Sequence, residues 1–370
     1  MTPGSDPAGS FLPRSITSHS ISMSTTTPKQ QGYFFPAEFA KHDATWLSWP
    51  HKEASWPGKI EAIYPVYAEF IKRVAEGEKV NINVLNEAMK QKALGHLQQV
   101  GADVGNLQFF MHPTNDAWCR DHGPAFLINP HAAQKKIIVD WGYNAWGGKY
   151  PPFDLDDNIP TLIAQHYKVP VVYPGIVMEG GSVEFNGRGT LLTTRACLLN
   201  ENRNPHLTQE QIETYLRNYY GVDHILWLGD GIVGDDTDGH IDDLTRFVNA
   251  DTVVTVVEED KNDENYTLLQ ENLHALHRLR LEDGKQLNVV ELPMPGAVVY
   301  DDMRLPASYA NFYISNKYVV VPTFRDKNDD RALDILQKCF PDRKVIGLDS
   351  VDIIWGLGSF HCLSQQEPAA

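Results

Sequence analysis

Ser182-Val183-Glu184-Phe185-Asn186-Gly187-Arg188-Gly189-Thr190-Leu191-Leu192-Thr193-Thr194 reads as two β-rich runs folded back around Asn186-Gly187. Asn-Gly accepts the positive backbone angles of a tight hairpin turn, so the stretch predicts an antiparallel pair. Downstream, Thr208 is a helix cap for an amphipathic stretch reaching Tyr219, and His224-Ile225-Leu226-Trp227 reads as an apolar strand. The same order returns at Leu244 to Val257 around Asn249-Ala250-Asp251, with a helix from about Asn265 to Arg280 and a strand Leu287 to Leu292. It returns again at Phe312 to Val321, turning at Asn316-Lys317, with helix Asp329 to Cys339 and strand Lys344 to Gly347. An earlier copy runs from Ala125 to Asp140 through a helix near Asp157 to His166 into Pro170-Val171-Val172-Tyr173. A fifth, less regular unit spans Thr45 to Leu85, with its helix near Ile60 to Ala75 and strand Val80 to Leu85.

A period of roughly 60 to 70 residues implies repeated supersecondary units that carry function on one face. The polar clusters keep that period: Asp121, Glu179, His240, Asn311 and Cys362 lie 58, 61, 71 and 51 positions apart. Equivalent points of units set around a pseudo-rotation axis would converge on it. The expected fold is therefore one closed α/β propeller-like domain over residues 32–370. A doubly wound parallel sheet is the alternative, but it expects no hairpin in each unit. Residues 1–31, rich in Ser, Thr and Pro, are expected to be a disordered segment or a leftover of expression ahead of an internal start at Met23. A transit peptide is a further reading, and they lack the pattern of a secretory signal.

The chain has 370 residues, 48 acidic against 32 basic, and a formal charge of −16. That balance argues against a nucleic-acid surface and favours cationic partners. No apolar run approaches the ~18 residues of a membrane span. The cysteines at 119, 197, 339 and 362 are too scattered for a disulfide framework or a zinc CxxC site, which fits a reducing, cytoplasmic setting. The oligomeric state is left open, a homo-oligomer included.

Gly356-Leu357-Gly358-Ser359-Phe360-His361-Cys362 puts a thiol at the end of a glycine-punctuated loop, where the backbone approaches a ligand closely. A lone cysteine is more often structural, so its partners decide. Asp235 to Asp243 fails as a calcium loop, because Gly234 and Thr245 fall where ligands should be. What remains is His240 and Asp242, two apart, on one face if the backbone is extended. In Trp118-Cys119-Arg120-Asp121, Arg120 could simply be a structural ion-pair partner, and Cys119 is a rival nucleophile, ranked lower for its bulky surroundings. Glu179-Gly180-Gly181 could be only a turn entering the hairpin. Carboxylates beside a thiol would clamp a cation, and guanidinium is the planar cation that two carboxylates match bidentately. Its central carbon then needs a strong nucleophile and a proton donor for departing ammonia.

At these residues the chain resembles the agmatine deiminase family, relatives of the bacterial peptidylarginine deiminases among guanidino-group-modifying enzymes. The resemblance covers about Phe34 to Pro368. It rests on Thr45-Trp46-Leu47-Ser48-Trp49-Pro50, Trp118-Cys119-Arg120-Asp121, Glu179-Gly180-Gly181, Gly239-His240-Ile241-Asp242-Asp243, Pro306-Ala307-Ser308-Tyr309-Ala310-Asn311-Phe312-Tyr313 and His361-Cys362 with Gln365-Gln366. It implies a five-bladed pseudo-symmetric α/β propeller, the pentein fold, and hydrolysis of agmatine to N-carbamoylputrescine and ammonia in polyamine synthesis. Cys362 would be the nucleophile and His240 the general acid and base. Asp121 and Asp242 would clamp the guanidinium, with Glu179 orienting His240 and touching the substrate. Trp118 would line the channel and Asn311 would face the site. The resemblance calls for no metal or organic cofactor. Deimination of peptidyl-arginine or free arginine, amidino transfer to a second amine, and guanidinium binding without turnover are the alternatives. Leu357 and Ser359 depart from a family loop of three glycines and an asparagine, and a positive φ at Leu357 would carry a cost.

Overall fold

The computed structural model describes residues 26–370; most of the segment expected to be disordered lies outside the described residues. Residues 26–31 are part of the fold: Lys29–Gln31 forms a 3-10 turn, and Lys29 Nζ donates to the Val222 carbonyl at 2.7 Å.

The decisive stretch folds as read. Val183–Phe185 and Thr190–Thr194 pair antiparallel with Val183 opposite Thr193, and Asn186 Oδ1 accepts from the backbone N–H groups of Arg188 and Thr190 across the turn. Thr208 and Gln211 exchange side-chain and backbone hydrogen bonds as a capping box for helix Gln209–Tyr220. Gly221 ends that helix at φ 71°, where a Cβ would stand 2.3 Å from the Tyr33 carbonyl oxygen. The chain then returns as His224–Leu228, parallel to Thr190–Thr194.

Three other units repeat this plan. Their antiparallel pairs are Ala125–Ile128 with Lys136–Val139, Thr245–Asn249 with Thr252–Val257, and Tyr313–Ile314 with Tyr318–Thr323. The matching parallel strands are Val171–Val172, Asn288–Pro293 and Lys344–Asp349. The fifth unit is the irregular one because its hairpin joins the two ends of the described chain. His42–Ser48 pairs antiparallel with Ser364–Pro368, placing Trp46 opposite Gln365, and pairs parallel with Lys79–Asn83. It also gains a helix, Glu87–Gln99, and a fourth strand, Leu107–Phe110, that periodicity did not reveal. The strands thus form small sheets rather than one doubly wound sheet, and among the described residues no sheet closes on itself.

Central strands such as Thr252–Val257 are mostly apolar because both faces are covered, and the buried Thr255 hydroxyl is bonded to Thr245 at 2.8 Å. The helices bury one stripe: Ile63, Tyr67, Phe70, Ile71 and Val74 of Ile60–Ala75 are all inaccessible. Apolar packing collects in four clusters between sheets and helices. The polar side chains at the ends of the hairpins meet elsewhere. Glu38, Arg120, Asp121, Glu184, Asp242, Arg246 and His361 are each 5% exposed or less. Buried charge on this scale persists only when paired or hydrogen-bonded: Asp121 accepts from Gly181 N and Trp146 Nε1, and the others are bonded to one another as described below. No helix among the described residues is long and apolar enough to cross a membrane.

Candidate active site

The nucleophile loop begins where the 3-10 turn Ile354–Gly356 hands over to Leu357 at φ 71°, the left-handed backbone that the sequence warned of. Gly358 is required by space: a Cβ there would lie 2.6 Å from the Trp118 ring and 3.0 Å from the Cys362 Cβ. Asn311 ties the loop down. Its Oδ1 accepts from the backbone N–H groups of Ser359, His361 and Cys362 at 3.2, 3.2 and 3.3 Å. Its Nδ2 donates to Asp243 Oδ1 at 2.9 Å and to Cys362 Sγ at 3.0 Å. The amide expected to face a ligand is thus engaged in shaping the nucleophile's own loop.

His240 and Asp242 do not sit on an extended strand. His240 precedes a 3-10 turn, Ile241–Asp243, and the acidic run before it serves the backbone: Asp235 Oδ2 accepts from the N–H groups of Gly239 and His240 at 3.1 and 2.9 Å. Asp121 lies in the short helical turn Cys119–His122, which satisfies the condition that Trp118 and Asp121 be off a strand. Its Oδ1 accepts from Gly181 N and its Oδ2 from Trp146 Nε1, both at 2.9 Å. Glu179 leads into the 3-10 turn Gly180–Ser182. A Cβ on Gly181 would stand 2.6 Å from His240 Nδ1, 2.8 Å from Asp121 Oδ1 and 3.1 Å from Asp242 Oδ2, so that glycine leaves the space the three side chains share.

The structure therefore brings Asp121, Glu179, His240 and Asp242 to one place, with Asp242 Oδ2 3.6 Å from Cys362 Sγ and Asp121 Oδ1 3.7 Å from His240 Nδ1. Trp118 stacks on Trp56 with ring centres 5.0 Å apart, next to Gly358. Glu179 differs from expectation. Its Oε1 accepts from Arg203 Nε at 2.5 Å, and no hydrogen bond joins it to His240. Glu179 Oε2, Asp242 Oδ1 and both ring nitrogens of His240 are buried without a hydrogen-bond partner. Such groups cost about 1–3 kcal/mol each and mark where the polar atoms of a ligand belong, donors at the two carboxylate oxygens.

A sequence model of Porphyromonas-type peptidyl-arginine deiminases matches residues 34–368. The chain belongs to that family. It is 36% identical to the agmatine deiminase of Ectopseudomonas mendocina, over 93% of this chain and 98% of that one. Among solved structures it is similar to the agmatine deiminase of Enterococcus faecalis, with a TM-score of 0.87, 34% identity and coverage of 94% of this chain and 98% of that one. It is also similar to a Cys-to-Ser variant of the C. jejuni agmatine deiminase with substrate bound, at TM-score 0.82 and 34% identity over 90% and 96% of the two chains.

In this family member the site rests on a buried ionic layer that motif reading missed. His361 Nδ1 lies 2.6 Å from Asp242 Oδ2 and its Nε2 2.7 Å from Glu38 Oε2. Glu38 also receives Arg246 Nη2 at 2.9 Å and Arg120 Nη2 at 3.3 Å, while Arg246 Nε donates to Glu184. Arg120 is thus the structural partner its sequence context allowed. Glu38 carried a signal of its own, a lone acid inside the apolar run Phe34-Phe35-Pro36-Ala37-Glu38-Phe39. Behind Asp121 and Gly180, a cavity of about 30 Å³ bordered by Arg120, Glu184, Gln365 and Gln366 has room for a water.

The electrostatics follow from these contacts. Burial pushes the Cys362 thiol up, and Asp242, Asp243 and Asp121 push it further, well above its ordinary range. Burial would lower His240, but Asp121, Cys197 and Asp242 outweigh it and hold the imidazole well up. Burial, with Asp242 and Glu179, lifts Asp121 to about 6 against the pull of His240. Burial would raise Asp242, yet the hydrogen bond and charge of His361, with His240 and Arg246, keep it low. Cys119, the rival nucleophile, is lifted to about 12, chiefly by burial.

Proposed function

We propose that the chain hydrolyses the guanidinium group of agmatine to N-carbamoylputrescine and ammonia. The observation that carries this reading is the set of unpartnered buried polar atoms beside the Cys362 thiol: Glu179 Oε2 and Asp242 Oδ1 are acceptors awaiting N–H donors. A guanidinium supplies several such donors in one plane, and its charge offsets the carboxylates that keep the thiol protonated. On entry of the cation, the Cys362 proton is released to solvent and the sulfur attacks the central carbon. His240 donates a proton to the departing nitrogen, which leaves as ammonia, and the carbon stays bound to sulfur as a thiouronium. His240 then takes a proton from water and the hydroxide adds to the carbon; as the C–S bond breaks, the added hydroxyl becomes the product carbonyl and its proton passes to the sulfur, returning the thiol. Asp121, Asp242 and Glu179 hold the planar cation throughout, and Trp118 lines its approach.

Agmatine is favoured over free arginine because the central cations are committed: Arg203 to Glu179 and Asp238, Arg120 to Glu38 and Gln366, Arg246 to Glu38 and Glu184. None of these is spare for an α-carboxylate. The five hairpin, helix and strand units are in our reading the blades of a five-bladed α/β propeller over residues 32–370, whose axis is the polar centre. Four unpaired cysteines accord with a reducing, cytoplasmic setting and a place in putrescine synthesis. The test is ammonia release from agmatine, arginine and a blocked arginyl peptide, with the Cys362→Ala variant alongside. Turnover of agmatine alone, lost in the variant, supports the reading. Turnover of the peptide moves the assignment to protein deimination, and silence on all three favours binding without turnover.

A further inference from the structure

Cys197 neither attacks the substrate nor carries a proton in that chemistry, yet it is fully buried against it and helps hold the His240 imidazole up. It lies in the turn Arg195–Leu198, where Thr194 Oγ1 accepts from Cys197 N. The same hydroxyl donates to the Gly239 carbonyl at 2.5 Å, fixing this turn to the loop that presents His240. Among the described residues, Glu179, Cys197 and His240 form a trio whose thiol sulfur, imidazole nitrogen and carboxylate oxygen lie within 4.8 Å of one another. All three side chains are 1% exposed or less, Glu179 Oε2 has no hydrogen-bond partner, and the His240 ring has the Cys197 thiol set against it.

We infer that Glu179, Cys197 and His240 form an inhibitory site for a thiol-seeking divalent cation of the Zn²⁺ class. One sulfur, one nitrogen and one oxygen ligand make the three-residue set that leaves a fourth position for water. Tetrahedral bonds of about 2.0–2.3 Å hold donor atoms roughly 3.3–3.7 Å apart, so small side-chain rotations close the trio on an ion. Binding forms bonds from the metal to sulfur, nitrogen and oxygen, and the thiol proton passes to solvent, as does any proton on the imidazole nitrogen that takes the metal. Asp121 and Asp242, which share the space at Gly181 with His240, offset the charge of Arg203, whose Nε holds the other oxygen of Glu179. The ion removes His240 from proton transfer, and the inhibition rests on the deiminase reading above, whereas the metal site itself does not.

The experiment has two arms on the full chain. In the first, ZnCl₂ is titrated against ammonia release from agmatine. Zn²⁺ is expected to inhibit the wild type reversibly with EDTA, and Cys197→Ala to raise the inhibition constant about tenfold or more, each enzyme being read against its own metal-free rate. In the second, Co²⁺ replaces Zn²⁺ and the thiolate-to-cobalt absorption band is read without substrate, in wild type, Cys197→Ala and Cys362→Ala. The band should persist in Cys362→Ala and vanish in Cys197→Ala. A band lost with Cys362 and retained without Cys197 would overturn the site, as would no band in any of the three. Should Cys197→Ala fail to fold, the Cys362→Ala spectrum alone decides. A band without agmatine turnover would retain the metal site and reject the substrate reading.

Discussion

Cys362 and Cys119 are both buried and both held in the thiol form, but different physics holds them. Around Cys119 stand Trp46, Phe110, Phe126 and Ile138, and burial alone accounts for most of the rise of its thiol to about 12. Around Cys362 stand Asp242, Asp243 and Asp121, which add to burial. An apolar wall cannot be neutralised by a ligand, whereas a ring of carboxylates can. Only the second thiol is therefore poised to change state when a cation arrives, and inertness at rest does not distinguish a structural cysteine from a reactive one.

Alanine at each position is the most direct way to break the contrast. Cys362→Ala should lower kcat for agmatine by roughly 10⁴-fold or more, as removal of a covalent nucleophile does. Cys119→Ala should leave kcat nearly unchanged and cost about 1 kcal/mol of stability by urea unfolding, for the lost sulfur packing. Iodoacetamide labelling of Cys362 sharpens the point. Without substrate it should be slow near neutral pH and accelerate as pH rises; fast labelling at neutral pH would mean a standing thiolate and end the substrate-assisted account.

The carboxylate ring needs a counterweight, and Glu38 supplies it by holding His361, Arg246 and Arg120 together. Burial would raise its carboxyl, but Arg246, His361 and Arg120 outweigh it and hold it well below the usual range. Glu38→Gln should cost roughly 3–5 kcal/mol in urea unfolding, since it leaves buried cations with a lost partner. A lowered carboxyl contributes stability above its unfolded value and loses it as pH falls through the folded one, so the variant's deficit should shrink in acid. A loss below about 1 kcal/mol would mean the network is solvated and that Cys362 has no rigid backing.

How much of this was legible depends on which physics each residue obeys. The hairpins, caps and amphipathic helices are local, and Asn186-Gly187, Thr208 and the stripe on Ile60–Ala75 announce them in sequence. Leu107–Phe110 is a fourth strand of only four residues; Gly105-Asn106 marks a turn before it, but the strand itself is decided by pairing with Lys79–Asn83. In the site, the residues grouped in short motifs came together, but what each one touches was not readable. Asn311 serves the backbone of the Cys362 loop, Glu179 is taken on one side by Arg203, and Glu38 lies 323 positions from its partner His361. Contacts of that kind are set by where five units converge, and no local pattern records them.

The charge side of the contrast also predicts a pH profile. Asp121 is lifted to about 6, so below that pH it is protonated and cannot pair with the substrate cation. kcat/KM reports the free enzyme, and it should fall about tenfold per pH unit below the shifted value while staying flat just above it. Trp146 Nε1 donates to Asp121 Oδ2 and favours the carboxylate, so Trp146→Phe should move the acid limb to higher pH. An unmoved limb would assign it to another group.

The smallest expected effect concerns the loop that carries the reactive thiol. Leu357 sits at φ 71°, where an ordinary side chain costs about 1–2 kcal/mol, and its side chain packs at the edge of an apolar cluster. Leu357→Gly removes the strain but also the packing, and it gives the unfolded chain more freedom, a penalty of about 0.5–1 kcal/mol. These terms nearly cancel, so urea unfolding should shift by less than about 1 kcal/mol in either direction. If Leu357 is held in the left-handed region to shape the approach to Cys362, the variant should raise KM for agmatine and leave kcat nearly unchanged, because Asn311 still fixes Ser359, His361 and Cys362 through their backbone. A fall in kcat at constant KM would instead show that the strained residue, and not the Asn311 clamp, aims the sulfur.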